Sequence, residues 1–190
     1  MKMKNQIKQG MLVMVMGLLV NQVARAQEVD FGVKAGSVYT MPSYSNKSVS
    51  DKKSEFGAQV GIFARTTDRF FVQPELTLSF TSTTYNFEGK KHNPNFYQLH
   101  LPIQAGYKFY ESEKMGIRAS VGPQLNYQLN KAKATSTANY KSFSYDALAN
   151  VGLDINRFGI DLRYNHGLNT ISKELGAKNK SIALSVGYTF

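Results

Sequence analysis

Ser181-Ile182-Ala183-Leu184-Ser185-Val186-Gly187-Tyr188-Thr189-Phe190 alternates large apolar side chains with small or hydroxylated ones at every step. Successive side chains of an extended chain point to opposite faces. Ile182, Leu184, Val186, Tyr188 and Phe190 therefore line one face of a strand, and Ser181, Ala183, Ser185, Gly187 and Thr189 the other. The pattern predicts a strand between two unlike environments. A soluble sandwich accepts such a strand too. A length of about ten residues, enough to cross a bilayer when tilted, and aromatics at the end where an interface would lie favour a membrane.

The same code recurs upstream, over residues 31–38, 56–65, 70–80, 97–109, 115–129, 143–155 and 158–165, which with the last stretch makes eight strands. In the third, Phe70, Val72, Pro74, Leu76, Leu78 and Phe80 oppose Phe71, Gln73, Glu75, Thr77 and Ser79. Connections alternate in length. Short ones fall at 66–69, at 110–114 and around Asn156-Arg157; long ones, rich in Ser, Thr, Asn and Lys, cover 41–55, 81–95, 130–142 and 168–179. An open sheet would leave unpaired backbone groups in lipid at several kcal/mol each, so the strands must close. The prediction is an all-β fold, an eight-stranded antiparallel up-and-down transmembrane β-barrel with long loops outside and short turns and both termini periplasmic. Pro74 and Pro102 each lack a backbone donor, and a break in the ladder is expected at each.

In this fold the polar faces become the lumen, where Lys34, Arg65, Glu75, Lys108, Arg118, Asp146, Asp154, Asp161 and Arg163 can meet. Eight strands leave an interior just wide enough for side chains. Mixed signs therefore predict a plug rather than a selective channel. Its expected members are Lys34, Glu75, Arg118, Asp146, Asp161 and Arg163, with Glu75 and Asp161 as the principal acids and Arg118 and Arg163 as their partners.

The chain has 190 residues, 42% of them hydrophobic, which suits one domain and is too few for a helical membrane protein. With no Cys, there is no disulfide, thiolate metal site or cysteine nucleophile. Residues 1–9 are basic, 11–20 are apolar and Ala24-Arg25-Ala26 is a small-x-small site, so 1–26 reads as a secretory signal peptide cleaved before Gln27, leaving 27–190 as the barrel domain. The apolar run is too short to span a bilayer as a helix, and no Cys follows it to carry lipid. Loss of Lys2, Lys4, Lys8 and Arg25 takes the formal charge from +10 to +6.

His92, His100 and His166 show no metal-ligand spacing, and no nucleotide-binding or nucleophile-elbow motif is present. No metal or cofactor is expected. His92 reads as a loop residue and His100 as a lumen residue. Small barrel lipid-A deacylases carry His-x-Ser near the corresponding end of a strand, whereas Leu168 stands two beyond His166, so the nucleophile is missing. The loop cations Lys52, Lys53, Lys90, Lys91, Lys131, Lys133 and Lys178, together with Lys47, Lys141, Lys173 and Lys180, predict a surface attracted to acidic head groups. Outer-membrane lipid and acidic glycolipid are the expected partners, and scattered cations on an exported protein speak against nucleic acid.

Gly32-Val33-Lys34-Ala35-Gly36, Gln73-Pro74-Glu75-Leu76, Leu101-Pro102, Val121-Gly122-Pro123-Gln124 and Arg163-Tyr164-Asn165-His166-Gly167-Leu168 give the chain a further likeness. In these motifs it resembles the small outer-membrane β-barrel family common in Bacteroidota, labelled porin-family or PorT-like. The resemblance covers the mature chain and implies the fold, with no assigned activity. The terminal Phe190, with Tyr188 two residues earlier, also resembles the signal by which barrels are recognised by the assembly machinery, a further expected partner. The combined expectation is a non-catalytic outer-membrane barrel with a plugged polar lumen and basic extracellular loops for surface binding or membrane integrity. The alternatives are a narrow passive channel for small solutes and, third, a lipid-modifying barrel enzyme.

Overall fold

The computed structural model describes residues 28–41, 43–44, 49–53, 55–82, 84–87, 90–92, 95–130, 142–172 and 177–190. The expected leader, 1–26, and the loop cations Lys47, Lys131, Lys133, Lys141 and Lys173 lie outside them. Eight long strands form the wall: β1 (Val29–Thr40), β2 (Glu55–Thr66), β3 (Phe70–Ser82), β4 (Asn95–Glu111), β5 (Met115–Gln128), β6 (Phe143–Ile155), β7 (Phe158–Ser172) and β8 (Ala177–Thr189). Each pairs antiparallel with the next, and β8 returns to β1 in register from Gly32↔Thr189 to Thr40↔Ser181. The result is a closed, all-β, eight-stranded antiparallel barrel.

Burial is inverted relative to a soluble domain. Among the described residues the buried set contains 21 polar or charged side chains and six apolar ones, Pro102 included, while Phe31, Phe56, Phe70 and Val121 are among many large apolar residues in the open. The alternation explains this, since every strand turns its apolar face outward. Aromatic contacts gather at the two ends of the wall. Near the short turns, Phe70–Tyr107 rings lie 4.7 Å apart and Phe158–Tyr188 rings 5.3 Å apart; near the long loops, Tyr39–Phe56 and Tyr127–Phe143 rings both lie 4.8 Å apart. Two aromatic girdles flanking an aliphatic band are what a bilayer selects.

The prolines interrupt the ladder one side at a time. A strand residue directs its N–H and C=O toward the same neighbour, so a proline disturbs one pairing and spares the other. Pro74 keeps Ile103 of β4 as partner, while the β2–β3 ladder stops at Phe63↔Glu75. Pro102 keeps Gln124 of β5, while the β3–β4 ladder skips Glu75 and Leu76 opposite Leu101 and Pro102. Pro123, a third case, keeps Ala147 of β6 and coincides with the skip between Pro102↔Gln124 and Ala105↔Val121. Where β2 and β3 part, the Thr66 hydroxyl accepts from the Val72 amide at 3.0 Å.

Three of the expected long loops contain strand. Val49–Lys53, Thr84–Phe87 and Lys90–His92 form a separate three-stranded sheet built from residues of two loops, and Ser43–Tyr44 pairs with β8. β7 and β8 also run farther than their apolar alternation, into the stretch 168–179, with a register shift beyond His166. Val49–Lys53 and Lys90–His92 are mostly polar and carry no period-2 signal, whereas Thr84–Phe87 does alternate, with Tyr85 and Phe87 on one parity, over too short a run to stand out within a long polar loop. The two-residue turn at Asn156-Arg157 places Asn156 at φ 52°, a left-handed conformation that asparagine tolerates better than most residues.

Candidate functional site

The lumen floor, toward the short turns, is aromatic. Phe63 and Phe71 are buried, and the Arg65 guanidinium lies over both rings, at 5.3 and 5.8 Å from their centroids. A Cβ at Gly32 would overlap the Phe63 ring and one at Gly106 the Phe71 ring, so these glycines make room for the floor.

Above the floor the charges meet. Arg118 donates to Asp161 Oδ1 at 2.8 Å and through Nε to Asp154 Oδ2 at 2.9 Å, and Arg65 donates to the same Asp154 oxygen at 3.1 Å. Glu75 Oε1 accepts from Arg163 and from Gln73, each at 2.7 Å, and from Gln104 at 2.5 Å, with the Lys34 ammonium at 3.4 Å. Lys34 lies 3.9 Å from Asp161, which joins the two halves, and Asn150 donates to Asp161 at 2.7 Å. Each of these residues points inward because its parity in the strand is that of the polar face. The barrel's curvature then brings β1, β3, β5 and β7 within reach of one another. Of the expected plug residues, Lys34, Glu75, Arg118, Asp161 and Arg163 are brought together, with Arg118 on Asp161 and Arg163 on Glu75. Asp146 is buried farther from the short turns, in register with Gln124 and Gly167. Lys108 turns to the rim, where it pairs with Glu111 beside a charged cleft of about 290 Å³ lined by Asp30, Arg65, Asp154 and Arg157.

Nearer the long loops lies a neutral layer that sequence reasoning missed apart from His100. Ser79 hydrogen-bonds His100 Nε2 at 2.7 Å, and His100 Nδ1 bonds Asn126 Oδ1 at 2.6 Å. This is the order of a nucleophile, base and orienting group. Ser79, however, is only 2% exposed, and Asn126 also accepts from Gln124 at 2.7 Å and donates to Ser144 at 3.2 Å. The set belongs to a cross-linked layer of side chains that continues through Gln59 to Ser185 and Asn165 to Ser181. Ser79 and Asn126 carry no sequence mark, being two of many small polar residues on inward faces.

His166 faces outward, its Nδ1 3.3 Å from the Tyr164 hydroxyl. Among the expected surface cations, Lys52 and Lys53 share the separate loop sheet with Lys90 and Lys91, while Lys178 pairs with Ser43 on the extension of β8. Among the described residues no three His, Asp or Glu side chains are grouped to hold a metal ion.

Three solved outer-membrane proteins are similar to this chain, the first two closely enough to share its fold. The outer membrane protein OprG from Pseudomonas aeruginosa superposes with a TM-score of 0.57 at 11% identity, covering 86% of this chain and 97% of that one. The outer membrane enzyme PagL gives 0.53 at 10% identity over 82% and 98% of the two chains. Ail, the attachment invasion locus protein of Yersinia pestis, gives 0.47 at 14% identity over 86% and 99%. No curated protein matches the sequence. Residues 22–173 match the family described as outer membrane protein beta-barrel domain, and with apolar wall, aromatic girdles and polar lumen in place, the chain belongs to that family of outer-membrane β-barrel proteins.

Proposed function

We propose that this protein is a non-catalytic outer-membrane barrel, closed to solutes by its own lumen, that presents its long-loop end to the outside as a basic surface for binding or for membrane integrity. The observation that carries the reading is the continuous lumen network, which runs from Arg65 and Asp154 at the floor through Asp161 and Glu75 to Gln104 and Ser120. Eight strands leave little room beyond such side chains. The outward assignment of the long loops follows the usual asymmetry of outer-membrane barrels. The small Bacteroidota barrels that the motifs resemble fit the same role. Against a lipid-modifying activity, the residue two beyond His166 is Leu168, unlike the His-x-Ser of the deacylases, and Ser79 is enclosed in the lumen.

Single-channel recording in planar bilayers tests the closure. Wild-type protein is expected to give no stable open level. A steady, ion-selective conductance would replace this reading with that of a narrow passive channel.

A further inference from the structure

On β7, Phe158, Ile160, Leu162, Tyr164 and His166 share the outward parity, and on β8 so do Lys180, Ile182, Leu184 and Val186. His166 and Lys180 are direct partners across the β7–β8 ladder, and the pair below them is Tyr164↔Ile182. Directly opposed residues hold their Cβ atoms about 4.5–5.5 Å apart, so a lysine and a histidine side chain leave the wall side by side. Ile182 is in turn the partner of Tyr39, a member of the long-loop aromatic girdle. His166 and Lys180 therefore stand one pleat beyond the girdle row, at the depth of head groups rather than acyl chains.

Among the described residues no carboxylate faces this pair. Lys180 makes no side-chain hydrogen bond or ion pair among the described residues, although its carbonyl accepts from the Met41 amide at 2.8 Å. The neighbour of His166 on β6 is Ala147, whose small side chain leaves open space beside the imidazole, with Tyr145 above it. Asp146, between them, faces the lumen. In the tautomer where the Tyr164 hydroxyl donates to Nδ1, the Nε2–H of His166 is free to donate outward.

We infer that His166, Lys180 and Tyr164 form an outer-wall site for the phosphate of a phosphorylated glycolipid in the surrounding leaflet. The inference rests on the proposed orientation of the long-loop end toward the outside, where such lipids reside. It adds to that reading a defined site on the wall, apart from the loop cations. An ammonium and an imidazole N–H converge on one group, while the girdle beneath accepts the upper acyl chain.

The test uses the folded, full-length barrel in detergent, so its result is independent of membrane orientation, which cysteine labelling decides separately. Native mass spectrometry with diphosphoryl lipid A is expected to show a one-to-one adduct. The paired substitution His166→Gln with Lys180→Gln should lower the bound fraction more than about fivefold, since one ammonium near an anionic surface is worth about 1 kcal/mol and the loss of the imidazole donor adds to it. Lys180→Gln alone should give a smaller loss and guards against a folding defect in the pair. Arg69→Gln with Lys114→Gln, at the opposite rim, should bind as wild type. Equal binding of enzymatically dephosphorylated lipid A, an unchanged adduct in the paired variant, or displacement of the lipid by an equal concentration of inorganic phosphate would each overturn the site.

Discussion

Arg118 is 1% exposed and is held by two carboxylates of different strands, Asp154 on β6 and Asp161 on β7. Its guanidinium lies flat against Gly152, where any Cβ would overlap it. Removing the cation leaves Asp161 with the more distant Lys34 and with Asn150, and breaking a dry pair in this way costs about 3–5 kcal/mol. Asp154 retains Arg65 and is a quarter exposed, so the loss for Arg118→Ala belongs near the lower end of that range. The measurement is the temperature at which the compact, heat-modifiable band disappears on a gel, which should fall. Gly152→Ala should lower it as well, by displacing the guanidinium without deleting it. An unchanged temperature in both variants would separate Arg118 from the stability of the barrel. Parity alone showed that Arg118 faces inward. Its choice of Asp161 and Asp154 depends on how far each strand is staggered around the barrel, a quantity no single strand encodes.

The prolines act at the scale of the strand. Continuing the β2–β3 register beyond Phe63↔Glu75 places Pro74 opposite Ala64, where the ladder needs a donor that proline lacks. Pro74→Val supplies that donor on an outward, lipid-facing position. Hydrogen exchange read by mass spectrometry should slow over the stretch 63–76, and stability should rise by about 1 kcal/mol, the net worth of one hydrogen bond. Exchange rates identical to wild type would trace the gap to strand curvature instead. Strand positions were legible wherever one face was apolar, which is why β3 and β6 begin where the alternation begins. The loop sheet was not legible, because Val49–Lys53 and Lys90–His92 are mostly polar in sequence and show no period-2 alternation. The bulge between Lys108↔Arg118 and Tyr110↔Ile117, which leaves Phe109 and Tyr110 both exposed, carries β4 past the expected strand end at Phe109 into the stretch 110–114 read as a turn.

For the whole molecule, the two rims differ in kind: among the described residues, one has three tight turns and the other bears most of the lysines. Single cysteines at Lys52, Lys91, Lys133 and Lys178 should react with a membrane-impermeant reagent on intact cells, while one at Thr67 should react only after the membrane is breached. Equal labelling of both sets would invert or abolish the proposed orientation. Failure here would leave the lumen network as described and would remove the leaflet on which the glycolipid site depends.

The seam between β1 and β8 also has a meaning in time. Every other pairing in the wall joins strands adjacent along the chain and can form as a local hairpin. Closure must bring together segments from opposite ends of the barrel domain, from Gly32↔Thr189 to Thr40↔Ser181, and even the final amide, that of Phe190, donates to the Phe31 carbonyl at 3.0 Å. Loop-closure entropy is spent before such distant contacts return anything. The same ladder that makes the wall edgeless therefore makes its completion the slow event. Until β8 arrives, seven strands wait with two open edges, each a row of unpaired backbone groups.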